Sequence, residues 1–212
     1  MSTTPTQLEA INRLIHSHLL DVHTLLPCKV TAYSAADQTI SCQPQVQRAV
    51  FDRDDVPSFE TLPELHDIPV AFPRAGGFYI TLPIAVGDFV LVLFSETPTT
   101  AWRERGDIVG PGILERHGLN GAFAIPCGFP DTQKLSGVST DKVVIGRVSG
   151  GTALEVDSSG NTTITGNLTV TGDISADGDV TADADANNIS LRNHTHPSGT
   201  GPTGAPTPTP AP

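Results

Sequence analysis

Aromatic and basic side chains are both scarce in this 212-residue chain. Aromatics make up 5% of it, and Lys and Arg together number 12 against 23 Asp and Glu, for a net charge of −11. A protein that binds nucleic acid without regard to sequence needs a basic footprint, and single-strand readers add aromatic platforms. This chain offers neither, so no nucleic-acid partner is expected. Long apolar runs are missing too. No stretch approaches the roughly 18 apolar residues of a membrane span, and residues 3–13 are too polar for a signal peptide. Cysteine is limited to Cys28, Cys42 and Cys127. Odd in number and widely spaced, they fit reduced, buried thiols in a chain folded in a cytoplasm better than a disulfide framework. What the chain has in quantity is turn formers, 20 Gly and 18 Pro, beside 38% hydrophobic residues. That composition suits a modest β core rather than a large α/β enzyme.

Residues 6–24 read as a helix. Leu8, Ile11, Ile15, Leu19 and Val22 recur at spacings of three and four, and Thr6 with Glu9 forms a capping-box pattern. His16 and His18 lie two apart, which on a helix sends them to different sides, so they cannot share a metal and should face solvent or an interface. Pro27 should end the helix. A β domain follows, with strands at 28–33 and 38–50 around a turn at 34–37, then at 68–72, 77–82 and 87–94. The last, rich in branched residues, reads as a central strand. Pro69, Pro73 and Pro83 confine their segments to sheet edges or strand starts. About five short strands in such a span fit a small closed barrel of the OB type. Its aromatics, Phe72, Phe78, Tyr79, Phe89 and Phe94, are expected to pack the core.

From residue 160 the chain counts in sixes: GNTTIT, GNLTVT, GDISAD, GDVTAD, ADANNI. Gly160, Gly166, Gly172, Gly178 and Ala184 open the hexads, and an Asn or Asp follows each. The Gly–Asn/Asp pairs supply corners that tolerate positive φ. Apolar residues occupy third and fifth positions, as in Leu168 and Val170 or Ile174 and Ala176, so one face is apolar and the other polar. Residues 151–212 also carry seven acids against the single base Arg192, a balance of −6. A left-handed β-helix of the hexapeptide acyltransferase kind uses three hexads per coil, and five hexads give fewer than two coils. About three stacked repeats are needed to bury a core. Three chains winding about one axis remove the difficulty, because each hexad then forms one side of a shared triangular prism. An intertwined trimeric β-helix is therefore the expected architecture.

The hexads stop at SLRNHTHP, where His194 and His196 flank Thr195. In an extended segment residues i and i+2 point the same way, so both imidazoles can aim at a common axis. Two imidazoles from each of three chains make an octahedral set of six. Zinc prefers four ligands, whereas imidazole also suits iron, so one iron ion per trimer is expected. The tail SGTGPTGAPTPTPAP reads as polyproline II or disorder. Catalytic patterns are lacking: there is no discernible Ser-His-Asp grouping and no phosphate-cradling Gly loop before a helix. Gly76–Gly77–Phe78 is a turn into a strand.

The block FPRAGGFYITLPIAVGDFVLVLFSE (72–96), the segment HGLNGAFAIPCGFP (117–130), the hexads and NHTHPSGTG (193–201) together resemble the central spike proteins of contractile phage tails, in the branch that carries an OB domain before the spike. The resemblance implies a homotrimer whose OB domains attach to the baseplate hub. It implies a β-helix pointing away from the tail and a tip iron held by the His-x-His of three chains, here His194 and His196. Assembled in the host cytoplasm and carried at the tail tip of the virion, such a spike is driven through the host outer membrane when the sheath contracts. The expected fold is thus mainly β: an N-terminal amphipathic helix (1–26), an OB-fold domain (27–135), a trimeric β-helix (136–192), and a metal-binding tip with a Pro-rich tail (193–212). Its role would be mechanical and not enzymatic. The alternatives are a receptor-binding trimeric tail-fibre tip and a hexapeptide-type acyltransferase.

Overall fold

The computed structural model describes residues 6–52, 56–151, 153–182, 189–190, 197–198 and 201–202. His194, His196 and most of the Pro-rich tail lie outside them. The chain is mainly β with few helices and divides into two compact units, Met1–Lys134 and Leu135–Pro212.

The first unit opens with helix α1 (Gln7–Leu20). Its start is fixed by a reciprocal cap. The Glu9 amide donates to Thr6 Oγ1 at 3.3 Å, and the Thr6 amide donates to Glu9 Oε2 at 2.6 Å, satisfying two amides that no helical carbonyl can reach. The helix stops at Leu20 with Asp21 as its C-cap, short of the expected residue 24. Pro27 does not end it. Instead Pro27 sits inside strand β1 (Leu25–Ser34), where the ladder to β2 (Thr39–Pro44) is just beginning, so its missing amide breaks little pairing.

β1 and β2 are joined by a turn in which the Ser34 hydroxyl donates to Asp37 Oδ2 at 2.7 Å. The single strand expected at 38–50 is two. β2 ends at Pro44, and β3 (Gln47–Phe51) leaves the sheet to pair with β4 (Pro57–Thr61) as a separate hairpin. β5 (Leu65–Pro69) returns to β2, with a bulge at which Asp67 takes φ +55°. A small hairpin of β6 (Arg74–Ala75) and β7 (Phe78–Tyr79) follows, and then β8 (Phe89–Phe94). Gly87, at φ +100°, makes the tight turn into β8 and donates its amide to the Val30 carbonyl at 2.9 Å. Helix α2 (Thr100–Arg105) and a long loop lead to β9 (Ala122–Ile125).

The main sheet runs β5-β2-β1-β8-β9, antiparallel throughout. β8 lies between two neighbours, and β5, which ends on Pro69, is an edge. The sheet curls until its edges meet: Val70, just past β5, bridges Ala124 of β9, and the Ala71 amide donates to the Ala124 carbonyl at 2.8 Å. This is an OB-like curled sheet. Alternate residues line its inside, namely Cys28 and Val30 from β1, Ile40 and Cys42 from β2, Leu65 and Ile68 from β5, Val90, Val92 and Phe94 from β8, and Ala122 and Ala124 from β9. Cys28 and Cys42 are buried free thiols, and a hydrogen bond with Cys42, reinforced by burial, pushes the Cys28 thiol up. Cys127, expected to be buried, is exposed just beyond β9. Phe94 is a core residue and Phe72 packs against the core, but Phe78 and Tyr79 are 83% and 72% exposed at the tip of the small hairpin. The expected strand at 77–82 is cut to these two residues, because Gly76 and Gly77 with positive φ fold the segment back outside the sheet.

The second unit begins with an antiparallel sheet of β10 (Lys142–Gly146), β11 (Ala153–Asp157) and β12 (Thr162–Thr165), in that order. Past β12, residues 166–180 form no strand. Two short ladders complete the described strands: β13 (Thr181–Ala182) with β14 (Ile189–Ser190), and β15 (Pro197–Ser198) with β16 (Gly201–Pro202).

Candidate functional site

Two tight turns build the β10–β12 sheet. The first places Gly150 and Gly151 at φ +75° and +89°, and the Gly150 amide donates to the Arg147 carbonyl at 2.9 Å. The second is organised by the Asp157 carboxylate. Its Oδ1 accepts the amides of Ser159 and Asn161, both at 2.9 Å, and its Oδ2 accepts the Asn161 side-chain amide at 3.0 Å. The Asn161 side chain first, then its backbone amide, hold the Asp157 carboxyl below the usual range. Gly160 closes this turn at φ +84°. Among the other hexad glycines, Gly166 has φ +118°, whereas Gly172 and Gly178 do not take positive φ.

The register of this sheet sorts its side chains. Val143 faces Val156, Ile145 faces Leu154, and Leu154 faces Ile164. Period-two alternation therefore sets Val143, Ile145, Leu154, Val156 and Ile164 on one face. The other face carries Lys142, Val144, Glu155 and Thr163, with Lys142 Nζ 3.0 Å from Glu155 Oε2. Glu155, by hydrogen bond and by charge, raises the Lys142 ammonium above its ordinary value.

Exposure along the middle strand runs opposite to hydropathy. Along β11 the polar Glu155 and Asp157 are half-buried while Leu154 and Val156 are exposed. Val143 and Ile145 are 66% and 63% exposed. The apolar hexad positions beyond, Leu168, Val170, Ile174 and Val180, are exposed as well. A sheet of this size needs its apolar face covered to be stable, and an exposed contiguous apolar face marks an interaction site. Within the chain, the described hexads form no coil of their own.

His194 and His196, the expected metal ligands, lie outside the described residues. His16 and His18 are exposed on α1, and His16 meets the Phe51 ring edge-on at 5.7 Å. Among the described residues no group of three or more His, Cys, Asp or Glu could hold a metal ion, and no helix is long and apolar enough to cross a membrane. Reading the sequence for hexads alone overlooks β11, which precedes them. Its alternation Ala-Leu-Glu-Val-Asp was the available signal.

The curled sheet of the first unit carries the decisive likeness. Residues 26–127 match the family described as the phage protein Gp138 N-terminal domain. The match begins in β1 and ends just after β9, so it takes in the whole curled sheet and just under half of the chain. It supports a structural protein of a phage tail or baseplate, a component of the virion. No curated protein matches the chain.

Proposed function

We propose that this protein is the membrane-piercing central spike at the tip of a contractile phage tail or tail-like particle. It acts as a homotrimer, attached through its OB-like domain to the baseplate hub and driven through the host outer membrane on sheath contraction. The observation that carries this reading is the five-residue apolar face of β10–β12, exposed in the single chain and continued by the exposed apolar hexad positions. Three chains around one axis cover that face with two copies of itself, and the polar face with Lys142, Glu155 and Thr163 remains in water. A prism closed in this way has no free sheet edge along its length, so a load on its end is spread over three chains.

His194 and His196 are the residues that would hold a tip metal. Threefold symmetry turns two imidazoles per chain into six nitrogens, a donor set that suits a six-coordinate iron ion. Such an ion would supply coordinate bonds that tie three chain ends together. The work of the molecule is mechanical, with no bond in a substrate made or broken.

Light scattering and metal analysis of the purified full chain test the reading. A trimeric mass with one tightly bound iron per three chains is expected. The double substitution His194→Ala with His196→Ala should lose the metal and keep the trimer. A monomeric mass, or a trimer free of any tightly bound transition metal, would overturn the proposal in its first or second part.

A further inference from the structure

Helix α1 is turned the wrong way round for a helix that serves its own domain. Its polar side faces inward. Asp21 at its C-cap accepts Arg48 Nη1 at 3.1 Å, and the same guanidinium reaches Glu60 Oε2 of β4 at 3.1 Å through Nη2. His16 meets Phe51 of β3 edge-on, and His16, Ser17, Leu20 and Asp21 border a cavity shared with β3. Leu20 is the one half-buried residue of α1, and the others are exposed. With these residues turned toward β3 and β4, the stripe of Leu8, Ile11, Ile15, Leu19 and Val22 is left bare, with Leu8 68% and Leu19 62% exposed.

We infer that this stripe docks on the same stripe of other copies of the chain, three α1 helices forming a short parallel bundle. The inference rests on the threefold reading above and extends it to a segment outside the matched residues 26–127. Three features select a copy of this chain as the occupant. The positions flanking the stripe are Gln7 and His18 on one side and Asn12 and His16 on the other. Fixed charges, Glu9, Arg13 and Asp21, fall on the remainder of the helix. Copies can therefore meet without like charges opposing one another. Isoleucine at successive stripe positions favours associations of more than two strands. Finally, 14 residues are marginal as an isolated helix in water, whereas tethering three copies through the rest of the trimer raises their local concentration enough for a short seam to hold.

Disulfide trapping in the full chain tests the inference, with the exposed Cys127 first replaced by Ser. Ile15→Cys in that background should give covalent dimers on mild oxidation, whereas Ser17→Cys, on the side facing β3, should give none. Light scattering on the same samples separates the two levels of the argument. A trimer in which Ile15→Cys fails to cross-link, or in which Ser17→Cys cross-links as readily, overturns the bundle and leaves the trimer standing. A monomer removes both. Ile15→Cys cross-linking only to an added baseplate protein would also overturn the inference, assigning the stripe to the hub.

Discussion

Leu154→Asp is the substitution that bears hardest on the threefold reading. Leu154 sits in the middle strand of β10–β12, opposite both Ile145 and Ile164, and retains 37% exposure in the single chain. Fully burying such a side chain is worth about 1.5–3 kcal/mol, so covering its exposed remainder contributes at most about 1 kcal/mol per chain. An aspartate at the same place must also shed water, at a cost of at least about 2 kcal/mol. Symmetry repeats the loss three times, giving roughly 9 kcal/mol per trimer, or about six decades in the dissociation constant. Sedimentation equilibrium over a dilution series should show the wild-type chain trimeric and the variant monomeric. The strand signal of the first unit should persist in circular dichroism, since Leu154 lies outside that unit and its core. Thr163→Lys, on the polar face opposite Glu155, should leave the mass unchanged. If Leu154→Asp stays trimeric at every concentration, the apolar face is not the contact between chains.

Two further substitutions probe the first unit. Val92 is fully buried in the centre of β8; Val92→Ala should cost about 2 kcal/mol and lower the melting midpoint by several degrees in calorimetry, while Val86→Ala at an exposed position should not. His23 has its pKa lowered, chiefly by burial, with Asp21 opposing the shift and Arg48 adding to it. Because the folded value is depressed, the unfolded chain binds more protons below the ordinary histidine value. The contribution of His23 is therefore present above about pH 6.5 and lost as pH falls. Urea midpoints should decline below that pH in the wild-type chain and flatten in His23→Gln, and an unchanged slope would refute the assignment.

The parts of the fold legible in the sequence are those fixed by neighbours along the chain. The Thr6–Glu9 cap needs only a spacing of three, and β8 announces itself by six apolar residues in a row. Partner changes leave no such trace. Alternation continues from Ile40 through Val46 to Val50, so β2 and β3 read as one strand; only Pro44, which cannot donate to a ladder, marks the point where one sheet is exchanged for another. Phe78 and Tyr79 mislead for a different reason. Hydropathy reports that a side chain avoids water, and it is silent on whether the chain itself or another molecule provides the cover. The hexads carry the same ambiguity: their period is plain, yet residues 166–180 find no strand partner in their own chain. The curled sheet itself was legible as a class because its inward positions alternate on short strands bounded by Gly and Pro.

That ambiguity has a thermodynamic consequence in the second unit. Within one chain the β10–β12 ladders already pair the backbone, and the Asp157 turn satisfies its own amides. What is missing is apolar burial, the dominant favourable contribution to folding, against an ordering cost of roughly 1–2 kcal/mol per residue for the backbone alone. The first unit has twelve clustered core residues to meet that cost, whereas no buried hydrophobic residue is found among the described residues of the second. On the threefold reading, the first unit folds by itself and the second folds as it associates. Its melting transition should then rise with protein concentration while that of the first unit does not, because only a state bound by mass action responds to dilution.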